Sequence, residues 1–122
     1  MQQAVLPLLV LVSGPPASGK TTLATILAER YALPLFAKDM FKEMMYDNAG
    51  ELPSLAMSRF MGKCSIDSLQ IISRQLLAHT ISHILEANFD AALFTPVLRT
   101  LAQDTPFRCV QVQMKCDGAV LT

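Results

Sequence analysis

Neither sign of charge predominates in this chain. Ten Lys and Arg residues stand against ten Asp and Glu, for a formal net charge of zero. A dedicated nucleic-acid binder or a polybasic membrane anchor needs a positive excess, so both classes are excluded. Cysteine is scarce as well. Cys64, Cys109 and Cys116 are odd in number and form no C-x-x-C, which excludes a secreted disulfide framework and a zinc ribbon and leaves reduced cytosolic thiols. No run approaches the roughly 20 apolar residues of a membrane span. The apolar stretch 4–12 has no basic residue before it and leads straight into a glycine motif, unlike a signal peptide. Internal repeats, linkers and low-complexity segments are lacking too. What is present is apolar: 52 % of 122 residues, enough to fill one core and too much for a disordered tail. These features describe one small cytoplasmic domain over residues 1–122.

The pattern alternates strands and helices. Residues 5–12, VLPLLVLV, form a continuous apolar run, the signature of a parallel strand buried on both faces, and the strand proper begins after Pro7. From Lys20 the pattern turns helical, with Leu23, Ile26, Leu27 and Tyr31 on one side, and Pro34 ends it. Residues 35–37 read as a short strand ending at Lys38 and Asp39, and residues 40–47 as a helix broken at Asn48-Ala49-Gly50. Pro53 opens a further helix to about Gly62, and Ser65 caps another over 65–81 with Ile66, Leu69, Ile72, Leu76 and Leu77 apolar. A strand at 82–87, a helix at 90–103 with Leu93, Val97, Leu98 and Leu101 inward, a strand at 107–116 and a turn or helix start at Asp117-Gly118 complete the chain. The order β-α-β-α-α-α-β-α-β implies parallel pairing through right-handed crossovers.

One motif is specific. Gly14-Pro15-Pro16-Ala17-Ser18-Gly19-Lys20-Thr21 matches G-x-x-x-x-G-K-[ST] at every fixed position, between an apolar strand and an amphipathic helix. Gly14 and Gly19 permit backbone angles that a Cβ forbids. The loop N–H groups can then turn inward as a nest for phosphate oxygens, and the helix adds its N-terminal dipole. Lys20 reaches the β- and γ-phosphates of a nucleotide, the Thr21 hydroxyl ligates Mg²⁺, and Thr22 contacts phosphate.

GPPASGKTT, LPLFAKDMFKE and ILEANF together resemble the P-loop kinases, in the branch of AAA-domain and zeta-toxin-like predicted kinases. The layout is similar to that of chloramphenicol phosphotransferase, shikimate kinase and gluconate kinase, and the resemblance runs from Val5 to about Asp117. It implies an α/β fold, a P-loop NTPase three-layer sandwich with a parallel sheet of order 2-3-1-4, and transfer of the ATP γ-phosphoryl to a hydroxyl of a small molecule. ATP and Mg²⁺ are the cofactors it implies. By the same resemblance Asp39 contacts the acceptor hydroxyl and takes its proton. Glu86 holds Mg²⁺ through water, and Asn88 contacts the acceptor. Lys42 and Arg59 could bind an anionic acceptor. Such kinases continue into an arginine-bearing lid and a fifth strand, so the resemblance also implies a chain incomplete at its C-terminus. Arg99 and Arg108 lie in no lid-like segment. An apolar strand left at the sheet edge predicts marginal stability or self-association.

Other constellations are weaker. His79 and His83 stand four apart but have no third ligand nearby, which does not make a metal site. Asp47-Asn48-Ala49-Gly50 matches D-x-x-G but lies between helices, and no N-K-x-D follows. Three functions stay open: a small-molecule kinase, a nucleotide-binding module without catalysis, and a zeta-toxin-type kinase acting on a nucleotide sugar.

Overall fold

The apolar run near the N-terminus becomes the centre of a sheet. In the computed structural model, which describes residues 5–115 and not the Leu93 side chain, strand β1 (Leu8–Ser13) hydrogen-bonds a parallel neighbour on each edge. Strand β3 (His83–Ala87) pairs with it from Leu9↔His83 to Ser13↔Ala87, and β4 (Arg108–Gln113) from Leu8↔Arg108 to Ser13↔Gln113. The short β2 (Leu35–Ala37) adds to the far side of β3, with Ala37 opposite Glu86. The order is β2-β3-β1-β4, all parallel, as the resemblance implies. Pro7, just outside β1, still contributes its carbonyl, which accepts from Arg108 N–H at 2.9 Å.

Alternate residues of β1 face opposite layers, as the period of two requires. Leu9 and Leu11 point into a core with Leu69, Leu85, Ala87 and Phe94, while Val10 and Val12 join Ala24 and Ile84. The second layer is covered by helix α1 (Lys20–Tyr31), the first by α3 (Leu55–Ala78) and α4 (Ala91–Asp104), with Phe41 of α2 (Lys38–Ala49) at its side. Helices on both faces of a parallel sheet make three layers.

Several boundaries differ from the sequence reading. Two helices expected at 53–62 and 65–81 are one, α3, running through Gly62. Its cap is Ser54, whose Oγ accepts from Met57 N–H at 3.1 Å. Ser65 is instead buried in mid-helix, its hydroxyl donating to the Met61 carbonyl at 2.8 Å. The buried residues of α3 recur every four: Met61, Ser65, Leu69, Ser73 and Leu77. Ser73 of that stripe meets the sheet directly, through His83 of β3. α2 begins at Lys38, so Lys38 and Asp39 stand in its first turn rather than at a strand end. On α1, Ile26 is half exposed, because it sits about 200° round the helix from the buried Ala24. β4 is an edge strand, opposite β2, and all its residues except Val112 are exposed. The turn expected at Asp117-Gly118 lies outside the described residues.

His83 starts β3 with no solvent exposure. Its Nδ1 lies 3.0 Å from the Ile81 carbonyl, which can only accept, so Nδ1 carries the proton. Nε2 then accepts from the Ser73 hydroxyl at 2.7 Å. Burial pushes the imidazole pKa below its ordinary 6.5, against the Ile81 hydrogen bond, which raises it. The unfolded chain therefore takes up the proton first as pH falls. Stability from this ring is fully present above 6.5 and is lost as pH drops below it. Urea unfolding at pH 7.5 and 5.5 should show a larger loss for the natural chain than for His83→Gln, whatever the absolute stability of the variant.

Candidate functional site

The candidate residues gather where parallel strands end, since each crossover leaves from the same edge of the sheet. Ser13 ends β1 and ties three loops together. Its carbonyl accepts from Met114 N–H at 2.7 Å, and its hydroxyl accepts from Phe89 N–H at 3.0 Å. The loop 14–19 leaves from this knot and enters α1 at Lys20.

The two fixed glycines are needed for different reasons. Gly19 has φ 86°, a left-handed angle that a side chain strains. Gly14 does not have a positive φ, contrary to the sequence reading; space decides there. A Cβ on Gly14 would stand 2.8 Å from Met114 Cβ, 2.9 Å from Met114 O and 2.7 Å from Ser18 Oγ. Ala17 also takes a left-handed φ of 61° without being glycine, a strain of about 1–2 kcal/mol that tends to cluster at functional loops. Within the loop, Ser18 Oγ is buried and has no hydrogen-bond partner among the described residues. Lys20 Nζ donates back to the Pro15 carbonyl at 3.5 Å.

Glu86, penultimate in β3, is only 3 % exposed. Its Oε1 accepts from the Thr21 hydroxyl at 2.5 Å. Thus Thr21 and Glu86, which are 65 residues apart in sequence, meet beside Lys20 at the loop. Thr22 is exposed in the first turn of α1. Pro16 is exposed on the loop and Pro15 half-buried.

A cavity of about 640 Å³, in the size range of small-molecule sites, reaches the foot of the loop through Phe89, whose N–H is held by Ser13. Lys38 and Lys42 of α2 and Arg59 and Lys63 of α3 contribute to its lining, each pair one helical turn apart. Asn88 and Phe89 of the β3–α4 loop and Phe94 of α4 line it too. Sequence reasoning had singled out Lys42, Arg59 and Asn88, and the fold brings these three together. It missed Lys38, Lys63, Phe89 and Phe94, for which the only sequence signal is the i, i+4 spacing of the cations. Asp39 is exposed in the first turn of α2 and is not part of the lining. Lys42 Nζ lies 5.7 Å from the Tyr46 ring centroid. The Tyr46 phenol is held below its usual pKa chiefly by its hydrogen bond with Ser58, opposed by desolvation and aided to a lesser extent by Lys42 and Lys38. Among the described residues no group of three or more His, Cys, Asp or Glu side chains could hold a metal. No helix there is long and apolar enough to cross a membrane.

No protein-family model matches the sequence, and no curated protein does. Solved structures do match. A "putative kinase" from Chloroflexus aurantiacus is 38 % identical with a TM-score of 0.88, over 94 % of this chain and 63 % of that one. A sugar kinase from Janibacter sp. is 18 % identical with a TM-score of 0.60, over 96 % and 64 %. The APS kinase of Mycobacterium tuberculosis is 15 % identical with a TM-score of 0.50, over 90 % and 76 %. These are P-loop kinase-type folds, and this chain has that fold. It spans 63 % of the length of the Chloroflexus protein.

The glycine geometry predicts opposite signs at two positions. Gly14→Ala should cost about 1–3 kcal/mol, because Met114 backbone must move. Gly62→Ala, inside α3 with nothing nearer its Cβ than Lys38 Nζ at 3.8 Å, should be neutral or stabilising, by up to about 1 kcal/mol. Chemical denaturation of the two variants checks both. An unaltered Gly14→Ala would refute the close approach.

Proposed function

We propose that this chain binds the triphosphate of ATP with residues 14–22 and transfers the γ-phosphoryl to a hydroxyl of a small molecule in the adjoining cavity. The observation that carries this reading is the Thr21–Glu86 contact of 2.5 Å beside Lys20. A buried carboxylate is costly to a fold, and a hydrophobic residue would serve packing better. Its presence next to a threonine at the start of α1 is explained by a ligand. The orphaned Ser18 hydroxyl supports the same reading, since a phosphate oxygen would give it a partner. The kinase neighbours support a phosphotransferase at a coarse level.

The donor set suits Mg²⁺, which takes oxygen ligands only. Thr21 would ligate it directly and Glu86 through water, with phosphate oxygens and water filling the rest. Bound there, the ion neutralises charge on the phosphates. The chain's own groups supply the remainder. The loop N–H groups and the α1 dipole hold the phosphates in place. Lys20 Nζ, released from the Pro15 carbonyl, reaches the β- and γ-phosphate oxygens. The acceptor hydroxyl loses its proton as the new O–P bond forms and the bond between the γ-phosphorus and the β–γ bridging oxygen breaks, leaving ADP; the resemblance assigns that proton to Asp39, which stands next to Lys38 of the cavity but outside the lining itself. Phosphoryl transfer depends mostly on positioning and charge, so a modest base is sufficient.

Two measurements test this. Mg-ATP at about 100 times its dissociation constant should stabilise the chain by roughly 2.7 kcal/mol, read as a rise in Tm. Lys20→Ala should abolish the rise, and a rise that survives it would refute the phosphate loop. Asp39→Asn should keep the rise but lower transfer to a hydroxyl acceptor by about 10²–10⁴-fold. Undiminished transfer would remove Asp39 from the chemistry. A Tm rise with no transfer to any acceptor would favour a nucleotide-binding module.

A further inference from the structure

The cavity beside the phosphate loop has an electrostatic character that folding does not explain. Four of the chain's ten Lys and Arg residues line it: Lys38, Lys42, Arg59 and Lys63. Only two carboxylates share the lining, Asp67 and Asp90. Both are engaged locally. Asp67 pairs with Lys63 at 3.2 Å, and Asp90 Oδ1 accepts from Ala92 N–H at 2.9 Å as the cap of α4. Among the described residues, no carboxylate lies within ion-pair distance of Lys38, Lys42 or Arg59. Three like charges around one concavity repel each other, and only Lys42 has a partial offset, from the Tyr46 ring 5.7 Å away. The rest of the lining is Ser58, Asn88 and an apolar face of Phe89, Ile66 and Val97; Phe94, whose ring centroid is 4.3 Å from that of Phe89, is only 4 % exposed.

We infer that the acceptor is an anionic hydroxy compound with an apolar or aromatic body, its carboxylate or phosphate held by Lys38, Lys42 and Arg59 and its body laid against Phe89, Ile66 and Val97. The inference rests on the phosphate-loop reading and adds the acceptor's class to it. A neutral sugar would leave the three cations uncompensated. A compact anion without an apolar part would leave the partly exposed faces of Phe89, Ile66 and Val97 in water. An acceptor with both parts satisfies the two walls at once and leaves its hydroxyl free to face the loop.

The test uses the full chain with Mg-ADP present and three probes in isothermal titration: 3-phenyllactate, 3-phenyllactamide and lactate. The first carries charge, ring and hydroxyl; the second lacks the charge, the third the ring. 3-Phenyllactate should bind at least tenfold more tightly than either. Arg59→Glu should erase the preference for acid over amide. Arg108→Glu makes the same charge change at the opposite end of the sheet and should leave the preference intact. A Tm rise with Mg-ADP in Arg59→Glu shows that this variant is folded. Equal affinity for acid and amide, or no binding of any probe to a chain that still binds Mg-ADP, overturns the anionic class and spares the phosphate loop. Failure to bind Mg-ADP removes both.

Discussion

Strand β1 has almost nothing it can give to water. Both of its edges are hydrogen-bonded, to β3 and to β4, and its residues from Leu9 to Ser13 are buried. A parallel strand in that position must leave the sheet at its C-terminal end through a crossover, and the crossover must start from a residue that is itself buried. Ser13 is that residue, and Gly14, also buried, follows it. Met114, following β4 in register, then closes on Gly14 so tightly that no Cβ fits. The loop's shape is therefore set by the sheet beneath it: the ladder that builds the core also fixes where the loop N–H groups can point.

The same constraint explains where polar groups are tolerated inside. Among the described residues, the buried polar ones outside α3 are Ser13, His83 and Glu86, each on a sheet strand. His83 lies at the start of β3 and is satisfied internally by Ser73 and Ile81. Glu86, toward the end of β3, is met by Thr21 from the first turn of α1. A polar side chain at the closed end of the sheet is thus used to finish the core, and one at the loop end is turned toward a neighbouring helix that itself opens to solvent. The difference between the two ends separates structural from functional readings of buried polar groups here.

Much of this was legible in the sequence, for identifiable reasons. The run VLPLLVLV has no polar alternation, so it could only be a strand covered on both faces, and the glycine motif after it fixed the loop and the start of α1 to the residue. The order of strands was not in the periodicity and came from the resemblance. Gly62 read as a helix end because glycine commonly stops helices, yet tertiary packing carries α3 straight through it. Lys38 and Asp39 read as a strand end because the run LPLF fades there, while the chain had already turned into α2. Met114's role was invisible, since a contact between residues 100 positions apart leaves no local trace. The cavity was half visible: Lys42, Arg59 and Asn88 stood out singly, and nothing in their spacing said that α2, α3 and the β3–α4 loop would converge.

On the proposed reading, the two halves of the site are linked by charge. A donor triphosphate and an anionic acceptor repel, by about 1 kcal/mol per pair of unit charges 4 Å apart in bulk water and several times more in a partly enclosed cleft. An enzyme joining two such anions must supply cations to each, on separate walls, so that neither steals the other's partner. Here Lys20 serves the loop, while Lys38, Lys42 and Arg59 stand on α2 and α3. The chain as a whole is neutral, so this local excess is matched by acid elsewhere. On the proposed reading, cations without a carboxylate partner are a stability cost in the empty protein and become its means of bringing two negative reactants within bonding distance.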